Sequence, residues 1–185
     1  MTDQQYILFI NGSASTGSSA GTILEVVNDH LQRSGMAVRM SAGLKSLPHF
    51  DPALSVEAPP DAIMKFRQEI EAAAGVIICT PEYIFSIPSG LKNALEWCVA
   101  TVIWTDKPVG LITASASGVK GQEELLLIME TLGARVTQDT TLLIPGVRGK
   151  TDQEGRITDA ATSAAVAAFS SAFIQQSDGI SKHTA

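Results

Sequence analysis

Three short apolar runs constrain the fold of this chain more than any other feature of its sequence. They are YILFI at residues 6–10, GVIICT at residues 75–80 and KPVGLIT at residues 107–113. A strand with one face in water alternates apolar and polar residues, whereas these runs are apolar almost throughout. Such runs are typical of parallel strands that helices cover on both faces. We therefore predict a buried parallel sheet.

Helical patterns and two weaker strands fill the spaces between these runs. Apolar residues at helical spacing occupy residues 22–34 and stop at Gly35, and a second such pattern begins at Asp61. We predict helices at residues 22–34, 61–74, 88–98, 122–132 and 158–176 and a further strand at residues 36–40. Residues 135–144 contain either a last strand or a broken pair of strand pieces. Five strands that alternate with five helices predict an α/β fold, an open doubly wound five-stranded parallel sheet with helices on both faces. Right-handed crossovers favour the strand order 2-1-3-4-5.

Length and composition narrow the possible partners. The 185 residues correspond to one domain, which we place at residues 1–176, followed by a polar C-terminal tail at residues 177–185. The net charge of −6 argues against nucleic acid and anionic membranes, which bind clustered Lys and Arg. No signal pattern and no apolar run of spanning length is found, so we expect a cytoplasmic protein. The two cysteines lack CxxC spacing and the three histidines lack metal-ligand spacing, which predicts reduced thiols and no metal site.

The strand order indicates where a ligand would bind. In the order 2-1-3-4-5 the winding reverses between strands 1 and 3, and ligands bind beyond the carboxyl ends of the strands at that point. The loops at this edge are residues 11–21, 80–89 and 114–121. We therefore expect a site built from these three loops.

The first loop, NGSASTGSSAG, favours a single phosphate. Its pattern Gly12-x4-Gly17-Ser18-Ser19 is a Walker loop in which Ser18 replaces the lysine that a nucleoside triphosphate usually requires. The dinucleotide fingerprint GxGxxG is also missing. Backbone N–H groups, hydroxyls and a helix N-terminus suit one phosphomonoester, so the terminal phosphate of FMN fits best. The alternative is a Ser/Gly-rich connection that binds nothing.

The other two loops suit a flat ring. In the second loop, Tyr83 and Phe85 are expected to wall an isoalloxazine ring, although aromatic residues of this kind also occur in cores and interfaces. Small residues in the third loop permit close backbone approach, and Lys120 is either a charge for flavin or nicotinamide phosphate or a solvated loop lysine. Trp97 and Trp104 belong either to the core or to a dimer contact. Neither the first nor the third loop contains GxSxG, which disfavours a serine hydrolase.

The same segments carry a family resemblance. TPEYIFSIPSGLKNALEW at residues 80–97 resembles the signature of the NADPH-dependent FMN reductase family, flavodoxin-like proteins that include quinone, chromate and azo-dye reductases. GSASTGSS after the first strand, GVIICTPEY and DQEGRITD before the last helix support it, so the similarity covers roughly residues 5–175. The resemblance implies an NAD(P)H-dependent oxidoreductase that passes hydride from NADPH or NADH through FMN N5 to a flavin, quinone or similar small acceptor by a ping-pong mechanism. It also implies a homodimer or homotetramer.

The resemblance further implies which residues bind the flavin, while no side chain is expected to act as a catalytic acid or base. The implied residues are Ser13, Ser15, Ser18, Ser19 and Ala20 at the phosphate, Pro81, Glu82, Tyr83, Ile84 and Phe85 at the ring, and Ser115, Ser117 and Gly118 as further ring contacts.

The chain departs from the family pattern in both loops. Many members carry arginine at the position of Ser15 and asparagine at that of Ala20, and the frequent Asn-Gly after PEY is here Ile84-Phe85. Loss of a charge-assisted contact weakens phosphate binding by about one to two decades in affinity. The alternatives to a reductase are therefore a flavodoxin-like electron carrier that takes electrons from a partner protein, and a degenerate scaffold that no longer binds FMN.

Overall fold

The computed structural model describes residues 5–152 and 154–181, with side chains up to residue 177 in the last helix. Five strands and five α-helices alternate along the chain. The strands are β1 (Tyr6–Asn11), β2 (Ala37–Met40), β3 (Gly75–Thr80), β4 (Val109–Ser115) and β5 (Thr141–Pro145). The helices are α1 (Ser19–Arg33), α2 (Asp61–Ala72), α3 (Ser89–Glu96), α4 (Val119–Thr131) and α5 (Ala160–Ser181).

All neighbouring strands pair in parallel, in the order β2-β1-β3-β4-β5. The predicted fold class and strand order are therefore confirmed. In the described part of the chain, no helix is both long and apolar enough to cross a membrane.

Two hydrophobic cores explain why the strand sequences are continuously apolar. Ile7 and Phe9 of β1 point into a core formed with α1 and α5, while Leu8 and Ile10 point into a core formed with α2, α3 and α4. Successive side chains of a strand point to opposite faces, so a strand between two helical layers must be apolar at every position.

The structure decides where the two tryptophans lie and changes the bounds of the last strand and the last helix. Trp97 and Trp104 are both fully buried, which places them in the core. The segment predicted at residues 135–144 pairs with the sheet in two pieces, an isolated bridge from Arg135 to Pro108 and the strand Thr141–Pro145. Between them, Gln138–Thr140 forms a 3-10 turn capped by Thr137. Helix α5 continues five residues past the predicted end at residue 176, and residues 182–185 of the predicted tail lie outside the described residues.

Candidate functional site

A cavity of about 680 Å³ opens at the carboxyl edge of the sheet, beyond β1, β3, β4 and β5. The three predicted loops line it, together with a fourth loop after β5. The lining residues are Ser13, Ser15, Gly17, Ser18, Ser19, Ala20, Pro81, Glu82, Tyr83, Ala114, Ser115, Ala116, Gly146, Val147, Arg148 and Gly149. Its volume lies in the range of about 300–1,000 Å³ that is usual for cofactor sites.

The first loop leaves β1 through a glycine that cannot be replaced without movement. The N–H of Gly12 donates to the carbonyl of Cys79 over 2.8 Å, which holds the loop against β3. A Cβ at this position would lie 2.6 Å from Thr80 Oγ1 and 2.9 Å from Leu91 Cδ2. The missing side chain therefore lets the loop pack directly on β3 and α3.

Short polar contacts shape the rest of this loop. Asn11 Oδ1 accepts from the N–H of Ser13 over 2.9 Å, and Ser13 Oγ accepts from the N–H of Ser15 over 3.1 Å. Ser18 caps α1, since its hydroxyl accepts from the N–H of Gly21 over 3.2 Å. The loop is thus ordered by its own side chains.

The first turn of α1 keeps donors for an anion. Within residues 5–152 and 154–181, the backbone N–H groups of Ser19 and Ala20 have no hydrogen-bond acceptor. Both residues line the cavity, and the helix N-terminus carries a partial positive charge. Free N–H donors at a helix N-terminus are typical of anion sites, and they require no lysine in the loop.

The second loop contains a tight two-residue hairpin. Tyr83 and Ser86 exchange backbone hydrogen bonds of 2.8 and 3.1 Å. The central residues Ile84 and Phe85 both have positive φ, at 50° and 60°, and their side chains are 94% and 77% exposed. Positive φ at both central positions is typical of a type I′ turn, which normally contains Asn-Gly. Ile84 and Phe85 therefore adopt the backbone geometry that Asn-Gly normally adopts in such turns.

Two carboxylates tie the second loop to α4. Glu82 Oε2 accepts from the N–H of Gly121 over 2.9 Å. Glu124 Oε2 accepts from Ser86 Oγ over 2.5 Å and from the N–H of Ile87 over 3.0 Å. Desolvation raises the pKa of Glu124, but these hydrogen bonds and nearby Lys92 outweigh it, so that the pKa lies below its ordinary value. Both carboxylates hold the loop in place.

The phenol of Tyr83 faces the first loop. Its hydroxyl lies 3.4 Å from Ser13 Oγ. This contact chiefly lowers the pKa of Tyr83, with smaller contributions from Ser15, the backbone of Ala14 and the positive charge of Arg148, while burial opposes them. The aromatic ring thus bridges the second loop and the proposed phosphate site.

The remaining titratable groups do not form a reactive centre. Lys120 pairs with exposed Glu123 over 2.6 Å and does not line the cavity. This favours a solvated loop lysine over a charge for the flavin or the nicotinamide phosphate. Burial raises the pKa of the Cys98 thiol to about 11 and that of Cys79 still further. No cluster of His, Cys, Asp or Glu suited to a metal ion occurs among the residues that the structure describes.

Comparison with known proteins decides the family. The sequence profile of the family described as NADPH-dependent FMN reductase matches residues 6–148. The chain belongs to this family. The expectation of an oxidoreductase of the FMN reductase type is thereby confirmed.

Individual relatives agree with the family assignment. The chain is 27% identical over 165 residues to the NAD(P)H-dependent FMN reductase of Pseudomonas aeruginosa, covering 86% of this chain and 88% of the relative. It is 29% identical over 170 residues to a quinone reductase of Escherichia coli K12, covering 88% and 89%. The structure of the flavoenzyme FerB of Paracoccus denitrificans, an NAD(P)H:(acceptor) oxidoreductase, matches with a TM-score of 0.75 at 21% identity, covering 95% of this chain and 98% of that one.

The structure brings most of the residues implied by the FMN reductase resemblance to one cavity. Nine of them line it, namely Ser13, Ser15, Ser18, Ser19, Ala20, Pro81, Glu82, Tyr83 and Ser115. Four of the implied residues do not line the cavity, namely Ile84, Phe85, Ser117 and Gly118. Ile84 and Phe85 project into solvent from the hairpin, and Gly118 caps α4. The first loop (residues 11–21, the serine loop), the N-terminus of α1 and the size of the cavity fit FMN.

Sequence reasoning missed the fourth loop, residues 146–149. It follows β5, the strand farthest from β1 on that side of the sheet, yet it lines the same cavity as the serine loop. The signal was available, since β5 is parallel to the others and its carboxyl end must lie at the same edge.

Proposed function

We propose that this family member binds FMN in the cavity and uses NADPH or NADH to reduce a free flavin, a quinone or another small acceptor. The observation that carries this proposal is the cavity at the β1/β3 edge, where unpaired N–H groups at the start of α1 face a lining of serines. The names of the relatives support the reaction and the acceptor classes.

The first loop would bind the flavin phosphate. The N–H groups of Ser19 and Ala20 and the hydroxyls of Ser15 and Ser19 supply neutral donors, and the dipole of α1 favours the negative charge. Asn11 and Ser13 hold the loop in shape before the ligand arrives. Little ordering is therefore needed on binding, which favours affinity.

The second and third loops would bind the ring. Pro81 and Glu82 present backbone to the cavity from one side, and Ala114, Ser115 and Ala116 present small side chains from the other. Ser115 Oγ lies 3.4 Å from the carbonyl of Glu82, so the two loops are in contact. These small groups exclude water from a flat ring without filling its place.

The protein's part in the reaction is positioning and electrostatics. When bound, FMN supplies the redox chemistry by accepting electrons from reduced nicotinamide and releasing them to an acceptor. Glu82 is engaged with Gly121 of α4, and Glu124 of α4 is engaged with Ser86 and Ile87 of the second loop, so neither is free to act as an acid or base. We propose that donor and acceptor use one open site in turn, as in a ping-pong mechanism.

We also propose that the chain forms a homodimer or homotetramer. The exposed Ile84 and Phe85 beside the cavity mouth support a subunit contact there, since large apolar side chains of this kind are common at interfaces. Light scattering of the purified protein gives the mass directly. A monomeric mass at micromolar concentration would contradict this part of the proposal.

The test is anaerobic spectroscopy of the purified protein. Flavin-free protein is titrated with FMN, and the complex then receives NADPH or NADH while the visible flavin absorption band is followed. We expect FMN binding and bleaching of that band. Binding without bleaching would indicate an electron carrier, and no binding would indicate a degenerate scaffold.

A charge variant separates binding from folding. Ser19→Asp puts a negative charge in the first turn of α1, where it favours the helix but repels a phosphate. We expect this variant to fold and to lose FMN binding. Ser171→Asp, the same change on an exposed position of α5, is the control and should bind FMN normally.

A further inference from the structure

Arg148 brings a positive charge to the wall of the cavity that the serine loop also lines. Residues 11–21 contain neither Lys nor Arg, and Ser15 stands where many family members carry arginine. Among the cavity-lining residues in the described part of the chain, Arg148 is the only cation. It lies in the loop after β5, three strands away from β1 in the sheet and more than 130 positions along the chain from Ser15.

The backbone around Arg148 is anchored on both sides. Val147 is 3% exposed and packs into the core with α1 and α5. The N–H of Gly146, which has φ of 63°, donates to the carbonyl of Ala116 over 3.1 Å, and the N–H of Gly149 donates to the carbonyl of Gly146 over 3.0 Å. The fourth loop is therefore held against the third loop, so that Arg148 has a defined place at the cavity wall.

The charge of Arg148 is available to a ligand. The nearby carboxylates of Asp152 and Glu154 pair with Arg156 over 2.8 and 3.1 Å. Arg148 forms no ion pair within residues 5–152 and 154–181. Its guanidinium is exposed, so it requires no partner in the free protein.

Arg148 also lies near both halves of the proposed phosphate site. It lines a second cavity of about 450 Å³ together with Ser19, the first residue of α1. Its charge reaches the Tyr83 hydroxyl, whose pKa it lowers, and that hydroxyl lies beside Ser13. Arg148 therefore lines the same cavity as Ser13, Ser19 and Tyr83.

We propose that Arg148 binds the 5′-phosphate of FMN, replacing the arginine that other family members carry in the serine loop. This inference rests on the proposed function. A guanidinium binds phosphate through two parallel hydrogen bonds and carries a positive charge. Neutral hydroxyls donate hydrogen bonds but supply no such charge. The loop after β5 thus becomes a specificity element that distinguishes FMN from riboflavin, which has the same ring but no phosphate.

The test compares FMN with riboflavin by quenching of flavin fluorescence in wild type and Arg148→Gln. Loss of a charge-assisted hydrogen bond weakens binding by about 10- to 100-fold. We expect that loss for FMN and less than about a twofold change for riboflavin. Arg33→Gln, at the far end of α1, is the matched control and should leave both affinities unchanged.

A second variant keeps the inference falsifiable. Adding Ser15→Arg to Arg148→Gln returns a cation to the serine loop, and we expect it to restore most of the FMN affinity. An unchanged FMN affinity in Arg148→Gln, or equal losses for FMN and riboflavin, would overturn the inference while leaving the proposed function intact. Wild-type protein that binds neither flavin would overturn both.

One further result would reassign the anion. If Arg148→Gln binds FMN as wild type does but raises the KM for NADPH and not that for NADH, Arg148 contacts the 2′-phosphate of the nicotinamide coenzyme. That result would overturn the FMN assignment.

Discussion

The hydroxyl of Tyr83 lies 3.4 Å from the hydroxyl of Ser13, across the space between the second loop, which contains the hairpin, and the serine loop. This contact links the part of the site that would hold the ring to the part that would hold the phosphate. It also lowers the pKa of Tyr83, since a hydrogen bond to the phenolate favours its charged form.

The affinity for FMN should therefore fall at alkaline pH. As the pH rises through the lowered pKa of Tyr83, the side chain becomes negative beside the phosphate and repels it. The fall should begin below pH 10, the ordinary pKa of tyrosine. FMN titrations from about pH 7 upward, in wild type and Tyr83→Phe, measure the effect. Riboflavin is the control, and identical FMN profiles for the two proteins would contradict this role of Tyr83.

Glu124 should stabilise the hairpin loop in a pH-dependent way. We expect Glu124→Gln to lower the free energy of unfolding by about 1 kcal/mol near neutral pH, because a charged acceptor of two hydrogen bonds is lost. The pKa of Glu124 is lowered by folding, so its contribution is present above the ordinary value of 4.5 and disappears as the pH falls through the folded pKa. Urea denaturation at several pH values measures this.

Glu123→Gln is the control for Glu124. Its pair with Lys120 is exposed and screened by solvent, so its loss should change stability little. Equal effects of the two substitutions, or a difference that does not shrink in acid, would show that the anchor on Ser86 and Ile87 contributes nothing.

Replacing Ile84-Phe85 by Asn-Gly should stabilise the protein. Each L-residue in the left-handed region costs about 1–2 kcal/mol, and a β-branched residue there is unusual. Little packing within one chain is lost, because both side chains are exposed in it. The stability is therefore compared under conditions in which both proteins have the same mass by light scattering. We expect a thermal midpoint several degrees higher for the double variant, measured by circular dichroism. Val102→Asn, at a position that is 79% exposed but has no positive φ, should bring no gain.

Gly12→Ala should damage both folding and flavin binding. The new Cβ would meet Thr80 and Leu91 at under 3 Å, and overpacking of this kind costs about 1–3 kcal/mol. The serine loop must then shift, so FMN affinity should fall as well. Gly43→Ala is the control, since a Cβ there meets nothing within 4 Å and its φ of −59° suits alanine. Normal stability in Gly12→Ala would mean that the loop can move freely.

Much of this molecule follows from local sequence. Continuous apolar runs at residues 6–10 and 75–80 predict parallel strands because each strand meets a helical layer on both faces. The serine loop after the first strand predicts an anion site, since its glycines and the following helix determine which groups face outward. Both inferences need only the residues of one segment and the regular geometry of strands and helices.

Other features depend on segments that are distant in sequence. Arg148 reaches the cavity because β5 lies parallel to β4 and Gly146 ties its loop to Ala116. The indole N–H of buried Trp97 finds its acceptor in the carbonyl of Pro48, over 2.9 Å. Neither partner can be read from local spacing.

The sheet, the strand order and the loops at the ligand-binding edge could be predicted from the sequence, because hydrophobic periodicity and crossover handedness are properties of single segments and their connections. How those loops face each other follows from the packing of the helices on the sheet. This packing turned the Tyr83 phenol toward Ser13, joined the second loop to α4 through Glu82 and Glu124, and placed Arg148 in the same cavity wall as the serine loop. These are contacts between side chains and backbone from different segments, and their geometry exists only after the helices have packed on the sheet.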